Sequence, residues 1–351
     1  MNVLLVNNVA SFHSTLANSL NAIPNIHAKY IITSRHKFIT ENQYGYFIPL
    51  AISKKNPFTF ILHKLTYKRK IKKLIEWSDV VYFLWDNLVD EFDLKYASSL
   101  KKPIFVEWVG SDIRDPNLLA RLNPWFAKCF ENGYEYRSLE LSNHRVAVQQ
   151  KFKKYRANVL TTPEMKLFVD SSLFPESSLL FQRIDTSKYQ PYYPDKSKLV
   201  PKIIHAPSAP IAKGTPEILK IIDELKREYK FEFVLLENMS REDVVNELKQ
   251  ADIFIDQIVL GSYGMASCEA MAFGKPVLCF IMDEVFENGL PVDCPIVNSN
   301  TNTLKNNLIR LLDDANLRNE IGQQSRLFAE KYHDSDKIAH QLVQIFNQFI
   351  L

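Results

Sequence analysis

Short apolar runs alternate with longer stretches of helical periodicity along this chain. In the first half, Val3 to Val6, Tyr30 to Ile32, Val80 to Leu84, Ile104 to Trp108, Arg145 to Val148 and Val159 to Thr161 predict strands, with amphipathic segments or loops between most of them. Alternation of this kind implies a parallel sheet covered by helices. From Asp185 to Pro201 the composition shifts to proline, tyrosine and small polar residues, which predicts an inter-domain linker. A second alternation follows. Lys202 to His205, Phe231 to Leu236, Ile253 to Ile255 and Val277 to Ile281 predict strands, and Pro216 to Tyr229 and Ser240 to Gln250 predict helices. Thr215 with Pro216 and Glu217, and Ser240 with Asp243, have the chemistry of helix starts. Residues Thr303 to Leu351 read as helical.

Two such alternations in 351 residues fit two domains of ordinary size. Ligands of parallel sheets gather beyond the carboxyl ends of the strands, which groups Asn7 to His13, Trp85 to Asn87 and Gly110 to Arg114 on one rim.

Composition changes this picture little. Hydrophobic residues at 46% and charged residues at 24% are those of a globular chain, and no apolar run approaches the roughly 20 residues that span a bilayer. The segment Met1 to Asn8 lacks the basic, long-apolar build of a signal peptide and reads as a buried strand, so the expected location is the cytoplasm. Cys129, Cys268, Cys279 and Cys294 have no metal-like spacing and read as reduced thiols.

Charge adds one feature. The net charge is only +3, yet no acidic residue falls between Asn42 and Ile75, where Lys54, Lys55, Lys64, Lys68, Arg69, Lys70, Lys72 and Lys73 are interleaved with aromatic and aliphatic residues. Residues 54–73 therefore suit the surface of an anionic membrane, each basic group near that surface contributing about 1 kcal/mol. A solvated helix face is the plainer use of such a run, and no nucleic-acid reading motif accompanies it.

Candidate chemistry concentrates between Asp256 and Val277. After the strand comes a turn bearing Gly261 and Gly264, then a helix from about Met265, whose unpaired N–H groups form an anion site suited to phosphate. One turn on, Glu269 is placed to bond neutral hydroxyls beside that phosphate, as on a ribose. Gly274, Lys275 and Pro276 end the helix.

At these residues the chain resembles the glycosyltransferases of the GT-B type, most of all the retaining family 4, in which Glu-Phe-Gly and Glu-Ala-Met-Ala-x-Gly-x-Pro-Val segments close over a nucleotide-sugar donor. Tyr263, Gly264 and Glu269 to Val277 carry the match. His205 to Ser208 with Lys213, Gly214 and Thr215 is similar to the diphosphate-binding segment, and Gly110 to Arg114 to a loop facing the cleft from the first domain.

The resemblance implies an α/β fold of two Rossmann-like domains facing a cleft. Residues 1–185 would form the acceptor side, 201–335 the nucleotide-sugar side, and 336–351 a helix returning to the first domain. It implies catalytic roles for Asp112, Lys213 and Glu269, and donor binding by Ser208, Lys213, Gly214, Glu237, Tyr263, Gly264, Met265 and Glu269. The acceptor-side candidates are His13, Ser111, Asp112 and Arg114. For Asp112, holding its own loop through an Asx turn is the commoner use, and for His13 a structural role. The pattern departs at Gly261, where the family places a first Glu; nearby Asp256 and Gln257 are candidates to replace its hydrogen bonds to the sugar.

The expected function is transfer of a sugar from a UDP- or GDP-sugar to a glycan or lipid-linked acceptor, in bacterial surface polysaccharide synthesis such as lipopolysaccharide or capsule. No separate cofactor is expected. Lys213 and the helix start at Met265 would stabilise the departing diphosphate, so metal independence is expected too. The single Asp-x-Asp, Asp334 to Asp336, reads as helix capping. The alternatives are a sugar-nucleotide epimerase on the same scaffold and a non-catalytic nucleotide-sugar-binding partner.

Overall fold

The computed structural model describes all residues except 10, 34–41, 49–56, 89, 238, 240 and 351, and describes the backbone alone at 57–65 and 241. The chain divides into two compact units. One comprises Met1–Ile113, Asn143–Leu180 and Ser335–Leu351, the other Arg114–Ser142 and Phe181–Asp334.

The first unit holds the strands β1 (Asn2–Val6), β2 (His27–Ile32), β3 (Gly45–Phe47), β4 (Val80–Leu84), β5 (Ile104–Glu107), β6 (Asn158–Thr161) and β7 (Ser178–Leu179), all parallel, in the order β3-β2-β1-β4-β5-β6-β7. Register pairs Val6 with Ile31 on one side and Phe83 on the other. Val80 to Leu84 are all buried, as expected of a strand covered on both faces. Strand order reverses between β1 and β4, which makes their carboxyl ends the crevice of this sheet.

The final helix, Ser335–Asn347, belongs to this unit. It buries Ile338, Ala339, Leu342 and Phe346 at helical spacing. Phe346 packs 4.7 Å from the Phe105 ring and 6.1 Å from Tyr82, and Ser19 Oγ donates to Ser335 Oγ over 2.8 Å.

The second unit holds β8 (Lys202–His205), β9 (Glu232–Leu235), β10 (Ile253–Ile255), β11 (Val277–Cys279) and β12 (Val297–Asn298), also parallel, in the order β12-β11-β10-β8-β9. Here the switch point lies between β8 and β10. Three helices from the first half of the sequence join this unit, the last being Arg137–Glu140. Pro116–Leu122 is capped by Asp115, and Pro124–Asn132 by Asn123, whose Oδ1 accepts from Trp125 N and Phe126 N. Asn123 Nδ2 then donates to Val259 O over 2.6 Å.

Three expectations need correction. Arg145 to Val148 is not a strand; it lies in the helix His144–Lys154, where Val148 and Phe152 are buried one turn apart. Residues 114–142 cluster with the second unit and not with the rest of 1–185. The segment 185–201 is bound to the second unit along its length: Tyr192 N donates to Phe273 O, Asn319 Nδ2 to Pro194 O and Arg318 Nη2 to Lys198 O. Among the described residues, no helix is long and apolar enough to cross a membrane.

Candidate functional site

The site grows out of the β8–β10 switch. After β8 the chain makes a short helix, Pro210–Lys213, ended by Gly214 at φ 79°. A Cβ at Gly214 would stand 2.7 Å from Ile258 Cγ1 and 2.8 Å from Val259 Cγ2, so glycine is needed for both space and backbone angle. This turn places Lys213 against the loop after β10, where Ile258 N donates to Lys213 O over 3.1 Å.

Lys213 Nζ lies 2.6 Å from Asp256 Oδ1. The other oxygen of Asp256 accepts from Gly264 N (3.2 Å) and from Ser267 Oγ (2.6 Å), at the start of the helix Met265–Ala272. Burial disfavours the Lys213 ammonium, but the adjoining carboxylate more than offsets this and raises its pKa. Burial likewise opposes ionisation of Asp256, and Lys213 overrides it, holding the carboxyl below the usual range. Beyond Gly264, the N–H groups of Met265 and Ala266 meet no acceptor among the described residues, so the helix start keeps anion-binding capacity.

Glu269 follows one turn later, 7% exposed, and accepts from Tyr189 Oη over 2.9 Å. Tyr189 lies in the segment read from sequence as a linker, and its ring packs 5.0 Å from Phe273. Ser208 and Glu237, the other donor-side candidates, are exposed in this unit.

Several candidates are committed elsewhere. Gln257 organises its own loop: its Oε1 accepts from Val259 N and Leu260 N, and its Nε2 donates to Ser262 O and Phe280 O. Asp256 is engaged with Lys213 and the helix start. Neither side chain is therefore presented to a sugar as the sequence suggested. Tyr263 is buried, its hydroxyl 3.1 Å from His333 Nε2, and burial pushes its phenol well up. His205 is buried too, bonded to Ile255 O and Thr215 Oγ1; desolvation lowers its pKa to about 4, so it is neutral and does not replace a phosphate-binding arginine.

Gly261 sits at φ 88°, and a Cβ there would stand 2.5 Å from Met282 Sδ. The backbone angle thus strains any side chain at this position, and a Glu there would also have to displace Met282. Sequence reasoning missed Glu135, whose two carboxylate oxygens accept from Ile211 N (2.8 Å) and Ala212 N (3.0 Å) at the start of the helix carrying Lys213. A separation of 76 residues left no local signal. Tyr189 was missed for the same reason.

In the first unit, a cavity of about 470 Å³ lies at the β1–β4 switch, lined by Asn7, Asn8, Ile32, Thr33, Trp85 and Asp86 among others. Asn7 and Trp85 have positive φ, 71° and 76°, as the chain turns sharply off each strand. Asn8 Oδ1 accepts from His13 N and Ser14 N, while its buried Nδ2 has no partner among the described residues.

The acceptor-side candidates behave differently. His13 is fully buried, with Nδ1 2.8 Å from Asn7 O and its ring 4.7 Å from Tyr82; this placement contradicts a rim role. Asp112 is buried and accepts from Val109 N and Gly110 N, the loop-holding use, which leaves half-buried Ser111 beside it. Arg114 belongs to the second unit and pairs with Glu140 at 2.7 Å, both side chains buried.

Of the basic stretch, Lys54 and Lys55 lie outside the described residues, as does the side chain of Lys64. The rest is on the helix Pro57–Trp77, where Arg69, Lys70, Lys72 and Lys73 are exposed. Lys68 and Lys72 each lie 4.9 Å from a ring of the next helix, Phe92 and Tyr96.

Residues 213–328 match the family described as glycosyl transferases group 1. Among solved structures, sucrose-phosphate synthase from Thermosynechococcus elongatus is similar over 99% of each chain, with 12% identity and a TM-score of 0.62. HepE from Anabaena, solved in complex with UDP, is similar over 99% of this chain and 100% of that one, with 12% identity and a TM-score of 0.62. WaaG, a glycosyltransferase involved in lipopolysaccharide biosynthesis, is similar over 99% of each chain, with 12% identity and a TM-score of 0.59. No curated protein sequence matches the chain. The chain thus shares the α/β fold of these structures, two units each built on a parallel sheet, and its residues 213–328 match the group 1 glycosyl transferases.

Proposed function

We propose that the protein transfers a sugar from a nucleotide-sugar donor, with the donor held by the second unit. The observation that carries this is the convergence of Lys213 and the open start of the helix Met265–Ala272 at the β8–β10 switch, with Glu269 one turn on, inside the segment that matches the group 1 transferases. Lys213 and the Met265 and Ala266 N–H groups would bind the diphosphate and stabilise its charge as the glycosidic bond breaks. Glu269, oriented by Tyr189, would accept from the ribose hydroxyls. A UDP-sugar is the first donor to test, since HepE was solved with UDP.

The acceptor would be a glycan or a lipid-linked sugar. The cavity at the β1–β4 switch supports this, because Trp85 offers a stacking face and the asparagines offer hydroxyl-binding groups. Surface polysaccharide synthesis is the context proposed, with WaaG as the supporting likeness. The exposed basic face of Pro57–Trp77 supports a peripheral position on an anionic membrane at the cytoplasmic side. Retention of the anomeric configuration and independence of metal ions complete the proposal.

The test is release of UDP from UDP-sugars with and without an acceptor panel, in the presence of chelator. Acceptor-dependent release with chelator present is expected. A donor converted without acceptor would instead favour epimerisation, and binding without turnover across the panel would favour a non-catalytic role, which Gly261 in place of a carboxylate makes worth testing. Strict rescue by magnesium would contradict metal independence.

A further inference from the structure

The two features read above as phosphate ligands converge on a carboxylate of the protein itself. Asp256 follows β10, is 1% exposed, and holds Lys213 through one oxygen and the first turn of Met265–Ala272 through the other. It thereby ties together three elements that each supply part of the candidate donor site. The Lys213 side chain is 15% exposed. An amine so enclosed loses hydration, which favours its neutral form unless an opposite charge is in contact.

The groups around Lys213 come from several elements. Asp256 approaches from the loop after β10, Cys279 from the end of β11, Tyr136 from the segment 114–142, and His205 from β8. His205 is held neutral, with a pKa of about 4, and burial raises the Cys279 thiol well above its ordinary value, while Asp256 stays ionised. Asp256 is therefore the group that compensates the ammonium.

We propose that Asp256 is a positioning residue for the donor diphosphate: it keeps Lys213 charged and fixed beside the start of the helix Met265–Ala272 before the donor arrives. This rests on the reading of that site as a nucleotide-sugar site. One of the three ammonium protons binds Oδ1, and the remaining two are available to phosphate oxygens. The carboxylate stays as the anchor of Lys213 and is not displaced by the ligand.

Asp256→Asn keeps the side-chain size and removes the charge. Two readouts test the proposal. In the ligand-free protein, NMR of labelled lysine, assigned with Lys213→Arg, follows the titration of Lys213. The wild-type amine is expected to titrate at or above the ordinary lysine value, and the Asn variant at least about one unit lower. Calorimetric titration with UDP from about pH 7 to about pH 9.5 should give a nearly constant Kd in the wild type and at least a roughly twofold further weakening toward alkaline pH in Asp256→Asn, as half-deprotonation of the amine requires. The double variant Asp256→Asn with Lys213→Arg should restore a flat profile, since guanidinium does not deprotonate in that range. A merely structural aspartate would weaken binding equally at every pH and show no such rescue.

Identical Lys213 titration in both proteins, or flat UDP binding in Asp256→Asn, would overturn the proposal. Should the Asn variant fail to fold, a wild-type Lys213 titrating below the ordinary lysine range would overturn it as well. Should the wild type bind no UDP, the nucleotide reading fails, and the ligand-free titration still decides the role of Asp256.

Discussion

At Gly261 the chain lacks the carboxylate that the resemblance led us to expect, and its surroundings explain why. Positive φ strains any side chain there, and Met282 would have to move aside for one. Gly261→Glu is expected to lower stability by roughly 1–3 kcal/mol in denaturant unfolding and to leave sugar transfer no faster. Unchanged stability with faster transfer would show that the loop accepts the family's residue after all. Tyr189→Phe removes the hydroxyl bonded to buried Glu269, and about 1–3 kcal/mol of stability should be lost with weaker UDP binding; Lys213→Ala should weaken UDP binding and also destabilise the fold, because it leaves the buried Asp256 carboxylate without its counter-charge. The places of Lys213 and Glu269 in the fold were legible in the sequence because each belongs to a local pattern of turn and helix, while their roles toward a donor rest on the proposal. Asp256 and Gln257 were misread because proximity in sequence does not reveal which hydrogen bonds a buried carboxylate or amide already makes. His13 and Tyr263 were misplaced for the related reason that burial depends on elements packed from far along the chain.

Among the elements, long apolar runs such as Val80 to Leu84 identified themselves, whereas the short edge strands Gly45–Phe47, Ser178–Leu179 and Val297–Asn298 are too brief for any period to show. Arg145 to Val148 misled because a four-residue window fits strand and helix alike. Two buried histidines join elements of the second unit: His205 ties β8 to Ile255 and Thr215, and His333 ties Gln182 to Tyr263. Desolvation lowers both pKa values to about 4, below the unfolded value of about 6.5. The unfolded chain therefore binds more protons between these limits, and stability falls as pH drops from about 6.5 to about 4, by on the order of 3 kcal/mol for each histidine. Unfolding midpoints across that range, with His ring titrations by NMR, check this. Titration of either ring near its ordinary value in the folded protein would contradict it.

Over the whole molecule the chain passes between the two units four times, at 113–114, 142–143, 180–181 and 334–335. The two-domain α/β class was legible because it rests on alternation alone. The assignment of 114–142 was not, since it depends on contacts such as Asn123 to Val259 and Glu135 to Ile211. A fragment of residues 201–335 omits these contacts and the bound segment from Phe181 to Val200. It is expected to unfold at lower denaturant than the same unit in the full chain, or not to fold. A fragment as stable as the full chain would show that 114–142 adds nothing to the second unit.

In the proposed function, the β8–β10 switch of the second unit binds a nucleotide sugar through Lys213, the start of Met265–Ala272 and Glu269. Calorimetric titration of the full chain with UDP-, GDP-, CMP- and ADP-sugars, alongside Lys213→Ala and Glu269→Ala, tests it most directly. Saturable binding of one nucleotide class, UDP first, is expected, lost or weakened at least about tenfold in each folded variant. Binding that is unchanged in both variants, or no binding of any donor by the wild type, would contradict it.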